Sequence, residues 1–131
     1  MPERFVAACV QMRSGRDPAA NRDAAVAGVR EATAAGARFV QTPEMTSLVE
    51  RSRERLLEVV TDEDRDITLA ALRQTARETG AVVQIGSIAV RAGDKIANRA
   101  YLIGADGAIV AAYDKMHLFD VDLPKIGRAH V

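Results

Sequence analysis

Two residues stand at positions where this chain could do chemistry. Glu44 falls in Thr42-Pro43-Glu44-Met45, just past a predicted strand. Lys115 falls in Tyr113-Asp114-Lys115-Met116-His117-Leu118-Phe119-Asp120, again at a strand end. Open α/β sheets form their sites outside the carboxyl ends of strands. A carboxylate held there can take or give a proton, and a lysine ammonium can hold an oxyanion as it develops. Pro43 stiffens the strand exit and fixes the direction in which Glu44 leaves it. Taken singly, each residue also reads as a solvated charge on a surface loop. His117 could act as a base or a metal ligand. Only His117 and His130 are present, and no ligands recur at metal-binding spacing, so no metal site is expected. Cys9 lies inside an apolar run, where a free cysteine reads as a small buried hydrophobe rather than a nucleophile. Asn98 and Arg99 open a predicted strand, and Asn98 reads as a turn or backbone-binding residue.

These side chains need elements to place them. Residues 5–10 form a short, nearly continuous apolar run, which predicts a buried central strand. Asp17 and Pro18 supply an N-cap and a first helical residue. The helix that follows carries Ala25, Val26, Val29 and Ala32 on one face, and Gly36 ends it. Residues 38–41 predict the next strand, broken by Pro43, so the order is that of a right-handed parallel crossover. Leu56, Leu57, Val59 and Val60 predict a short amphipathic element. Asp62, Glu63, Asp64 and Asp66 crowd the start of a second strong helix, where acids favour the positive dipole end. Its predicted buried side is Ile67, Ala70, Ala71 and Leu72, and Gly80 ends it. Residues 81–90 and 97–103 predict two further strands. Gly104-Ala105-Asp106-Gly107 predicts a hairpin turn into a partner strand over 108–113. The class is α/β with a mixed sheet. No glycine-rich phosphate loop follows the first strand.

Composition narrows the function classes. The chain has 131 residues, suited to one ordinary domain. Hydrophobic residues make up 48% and charged residues 27%, which excludes disordered, collagen-like and coiled-coil classes. Lys+Arg and Asp+Glu both total 18, so neither nucleic acid nor an anionic membrane is expected as a partner. A single cysteine excludes an intrachain disulfide framework and a Cys-rich metal cluster. No apolar run reaches membrane-spanning length and no signal-peptide pattern opens the chain, so a cytoplasmic location is expected.

Glu44 and Lys115 gain meaning together. Residues 6–12, 39–44 and 113–120 resemble, in order and approximate spacing, the nitrilase superfamily of carbon–nitrogen hydrolases. Asn98 and the hairpin leading into Tyr113 fit the same pattern, and the resemblance covers residues 4–124. It implies an αββα sandwich, truncated here to its N-terminal half, and a Glu–Lys–Cys triad. Glu44 matches the general base, and Lys115 matches the lysine that stabilises the tetrahedral intermediate. In the family the cysteine attacks an amide or nitrile carbon and forms an acyl-enzyme. Ammonia or amine leaves, and water completes the hydrolysis. That cysteine follows the lysine by a few tens of residues, so the resemblance implies that the nucleophile is absent from this sequence. Cys9 sits on the first strand and does not match its place. The stretch Phe119-Asp120-Val121-Asp122-Leu123-Pro124 looks like the branch of deaminated-glutathione amidases and ω-amidases. The resemblance further implies a small-molecule amide substrate, no cofactor or metal, and a homo-oligomeric full-length protein.

Residues 125–131 leave the family pattern. They can be encoded by AAGATCGGAAGAGCACACGTC, which contains the start of a common short-read sequencing adapter. The expected organisation is therefore a family segment at 1–124 and a non-native tail at 125–131, with no functional meaning for His130. Functions of two classes follow. One is the N-terminal half of a cysteine-dependent amidase, inactive as given, with an apolar inner face exposed and sheet edges unpaired. The other is a non-catalytic α/β binding or interaction module on the same scaffold, which folds cooperatively alone. A third reading, an enzyme with Cys9 as nucleophile, expects a reactive thiol.

Overall fold

The structure, a computed structural model, describes residues 4–115 and the backbone of residues 119 and 120. His117, His130 and the 125–131 tail lie outside the described residues. Strands β1 (Val6–Cys9), β2 (Ala37–Thr42), β3 (Val82–Ala92), β4 (Lys95–Ile103) and β5 (Ile109–Asp114) stand side by side in that order. β1, β2 and β3 run parallel, and β3, β4 and β5 antiparallel. A two-residue β6 (Phe119–Asp120) pairs with the first residues of β4. The mixed α/β sheet is therefore as the sequence predicts. The β3–β4 hairpin, turning at Gly93 with φ 66°, is an addition to that prediction.

Helix α1 (Pro18–Ala34) begins as its cap predicts, with the Asp17 side chain accepting from Ala19 N at 3.0 Å and Ala20 N at 3.4 Å. Ala25 and Val29 are buried as expected, and Asn21 joins them. Its Nδ2 donates to Gly15 O and Ser47 O, and its Oδ1 accepts from Gly15 N, so every polar atom is satisfied. These bonds tie the loop before α1 to the loop after β2. Helix α2 (Arg53–Val59) is capped by Ser52.

Helix α3 (Ile67–Thr79) is capped by Asp66, whose carboxylate accepts from Leu69 N at 2.8 Å, and ends at Gly80 in the left-handed conformation, φ 74°. Its buried side is Thr68, Leu69, Leu72, Thr75 and Ala76, not the predicted Ile67, Ala70 and Ala71. Glu63, Asp64 and Arg65 form a separate 3-10 turn, so the acids precede the helix. The period through Leu69, Leu72 and Ala76 then sets which face turns inward.

α1 and α3 pack on each other and on one face of the sheet. Val29, Val40, Leu72, Val83, Ile85, Tyr101 and Ile103 make the centre of that core. On the other face, β3 residues Val82, Gln84 and Gly86 are only half-buried. A smaller cluster of Leu48, Leu56, Val60, Ala89 and Ile96 seats α2 near the β3–β4 turn. The expected central position of β1 is corrected. Among the described residues β1 is an edge strand bonded only to β2, Val6 and Cys9 are exposed, and of its four residues only Ala8 packs toward the helices. An apolar run reports that a strand wants cover on both sides, not which part of the molecule supplies it. Among the described residues no helix is long and apolar enough to cross a membrane.

Candidate active site

Glu44 hangs on the turn that follows β2, and β3 shapes that turn. A Cβ on Gly86 would stand 2.5 Å from Pro43 C and 2.6 Å from Pro43 O and Thr42 O. Only glycine lets the two backbones approach so closely. The next residue, Ser87, fastens the turn twice. Its Oγ accepts from Met45 N at 2.8 Å, and its carbonyl accepts from Thr46 N at 2.8 Å. Thr46 Oγ1 donates to Pro43 O at 2.5 Å and lies 2.9 Å from Thr42 Oγ1. Met45 takes φ 54°, the sole positive φ on a non-glycine among the described residues. Such a conformation costs of order 1–3 kcal/mol and persists where its surroundings over-determine it. Here the two bonds to Ser87 do so. The sequence reading singled out neither Gly86 nor Ser87. The available signal was a Gly-Ser pair inside an otherwise apolar strand, where the β3–β4 register shifts between Ile85 and Ile88.

Lys115 sits one residue beyond β5. Its backbone N–H donates to Asn98 O at 2.9 Å, extending the β4–β5 ladder by one rung. From that rung two side chains reach the same carboxylate oxygen. Lys115 Nζ lies 3.6 Å from Glu44 Oε2, and Asn98 Nδ2 donates to Glu44 Oε2 at 3.3 Å. The amide nitrogen must face the carboxylate, because only it can donate. Asn98 Oδ1 is buried and has no protein partner among the described residues. The structure thus brings together Glu44, Lys115 and Asn98, and gives Asn98 a side-chain partner that the sequence left open. The Glu44 and Lys115 side chains are 59% and 38% exposed. An ion pair so wet contributes about 0–1 kcal/mol to stability, so its interest is chemical rather than structural.

Cys9 takes part in none of these contacts. It is exposed, not buried as its apolar run suggested, because β1 is an edge strand. Its register partner is Gln41, and Ala8 beside it pairs with the buried Val40, so Cys9 lies on the face away from α1 and α3. Among the described residues no group of three or more His, Cys, Asp or Glu could hold a metal ion.

The parallel-to-antiparallel sheet brings a carboxylate and a lysine together beyond its strand ends, and known proteins of similar sequence and fold belong to one family. The family model for carbon–nitrogen hydrolases matches residues 6–130. An omega-amidase of Danio rerio is 30% identical over 123 residues, which cover 92% of this chain and 43% of that protein. A deaminated glutathione amidase of Rattus norvegicus is 35% identical over 104 residues, 76% of this chain and 32% of that protein. An amidase from Nesterenkonia sp., of the nitrilase superfamily, superposes with a TM-score of 0.71 at 24% identity, covering 85% of this chain and 42% of that one. The chain belongs to the carbon–nitrogen hydrolase family. It spans less than half the length of these relatives, and its single helix-backed sheet corresponds to one half of the expected αββα sandwich.

Proposed function

We propose that residues 1–124 are the N-terminal part of an amidase that hydrolyses non-peptide C–N bonds of small amides. The observation that carries the reading is the Glu44 carboxylate standing 3.6 Å from Lys115 Nζ, with Asn98 on the same oxygen. In the complete site a cysteine thiol, supplied by sequence beyond this segment, gives its proton to Glu44. The sulfur bonds to the amide carbon, and the Lys115 ammonium offsets the charge that forms on oxygen. The C–N bond breaks as Glu44 returns the proton to the departing nitrogen, which leaves a thioester. Glu44 then takes a proton from water, the hydroxide adds to the thioester carbon, the C–S bond breaks as Glu44 returns that proton to sulfur, and the carboxylic acid leaves. Without the thiol this segment binds no acyl group and is inactive. The half-buried sheet face and the unpaired β1 edge fit a second layer contributed by the rest of the domain.

The likeness to an omega-amidase and a deaminated glutathione amidase supports a short ω-amide as the substrate class. A homo-oligomeric, cytoplasmic enzyme and a non-native 125–131 tail complete the proposal. One observation favours the non-catalytic module instead. The residues between α1, α3 and the sheet already close a continuous buried core.

Ammonia release from short ω-amides by the intact protein tests the function. Wild-type turnover that Glu44→Gln and Lys115→Ala each lower by about 10²-fold or more supports it. Turnover that either substitution leaves unchanged overturns it. Sequencing the source DNA across codon 124 tests the tail, since a native reading frame of these residues followed by a stop would refute the adapter origin.

A further inference from the structure

Behind the candidate site lies a second charged cluster that the proposed chemistry does not use. Arg99 and Asp114 are register partners on the last rung of the β4–β5 ladder. Arg99 Nε lies 2.5 Å from Asp114 Oδ1, and Nη2 lies 3.1 Å from Oδ2, a bidentate pair. The third guanidinium nitrogen, Nη1, donates to Glu63 Oε1 at 2.9 Å. That same carboxylate oxygen accepts from the hydroxyl of the buried Tyr101 at 2.7 Å. Arg99 is thus held by the 3-10 turn on one side and by β5 on the other, and its side chain is 21% exposed.

The next rung along is Asn98 opposite Lys115. Side chains alternate along strands, so Arg99 and Asp114 point to the helix-covered face while Asn98 and Lys115 point to the face where Glu44 stands. We infer that Arg99 is a positioning residue for the candidate site: clamped by Asp114 and Glu63, it fixes the rung from which Asn98 and Lys115 reach Glu44. The exposed Lys115–Glu44 contact cannot hold its own geometry, because two flexible, solvated chains gain little from meeting. A bidentate, partly buried pair on the adjoining rung can. The inference rests on reading Glu44 and Lys115 as catalytic.

The test uses the intact protein with succinamate as the amide probe and compares Arg99→Gln, Asp114→Asn, their double variant and Arg99→Lys. Positioning predicts that kcat falls about tenfold in each neutral variant while KM stays within about twofold, since the loss is felt in the transition state. The double variant should be no slower than the slower single, because both remove one interaction. Arg99→Lys should recover only part of the rate, because it restores charge but not the fork. Asp114→Asn keeps the side-chain shape and carries the test if Arg99→Gln does not fold. Unchanged kcat in folded variants that have lost only thermal stability overturns the inference, as do single losses that multiply in the double. Lys115→Ala is the control. If it abolishes turnover while Arg99→Gln does not slow it, only the positioning role falls. If it leaves turnover intact, the catalytic reading falls with it.

Discussion

At the scale of single residues, Glu44 and Lys115 were legible by type and place but not by partnership. Position alone left each a plausible surface charge, and what joined them was a family resemblance over three separated segments. The structure adds Asn98, which shares Glu44 Oε2 with Lys115. Substituting Glu44 by Gln in the intact protein should lower kcat by about 10²–10⁴-fold, the usual worth of a general base. Lys115→Ala should cost about 10²–10³-fold, as for a lost oxyanion donor. Steady-state ammonia release checks both. Cys9 was misread, since its apolar neighbours suggested burial and an edge position exposes it.

Asp114 gives a pH prediction at the same scale. Hydrogen bonds from Arg99 hold its carboxyl below the usual range, against a smaller opposing effect of desolvation. A folded-state value below the unfolded one means that the pair contributes stability above the unfolded value, about 3.9, and loses it as pH falls through the folded value. The melting-temperature gap between wild type and Asp114→Asn should therefore be widest above about pH 5 and shrink toward about pH 2. A gap that widens on acidification would contradict the assignment.

At the scale of elements, the helix ends were the most readable feature. Asp17, Pro18, Gly36 and Gly80 act as their types predict, because capping is a local bargain between one side chain and a few orphan amides. Asp66 caps α3, yet burial raises its carboxyl pKa against the hydrogen bonds from Leu69 and Thr68. Asp66→Ala should cost about 1 kcal/mol in chemical denaturation, while Asp66→Asn, an equal cap without the buried charge, should be close to neutral. The buried face of α3 was not readable, because its phase depends on where the 3-10 turn stops and the helix begins. The Gly86-Ser87 bulge escaped for a similar reason, since its partner is a turn more than forty positions earlier in the chain. Gly86→Ala should cost about 1–3 kcal/mol, because the new methyl meets backbone of the turn that carries Glu44 rather than a flexible side chain. The same substitution should slow the proposed amide turnover of the intact protein beyond its effect on thermal stability.

At the scale of the whole molecule, the sheet is asymmetric. α1 and α3 bury one face over β2, β3 and β4, and the other keeps half-buried Val82 and Gln84 with exposed Tyr113. The apolar 5–10 run made sense as a strand covered on both sides, and the described residues cover only one. If the remaining domain supplies the second layer, the 131-residue chain alone should bind a hydrophobic dye and unfold over a broad range. A sharp, dye-silent transition in a monomer would favour the stand-alone module. In the proposed function Glu44 and Lys115 serve a thiol that lies outside this segment. Its most direct test is the mass of the intact protein quenched during turnover of a short ω-amide, with the modified peptide then located. An acyl adduct is expected on a cysteine that follows Lys115 in the sequence. An adduct on Cys9, or turnover with no cysteine adduct at all, would contradict it.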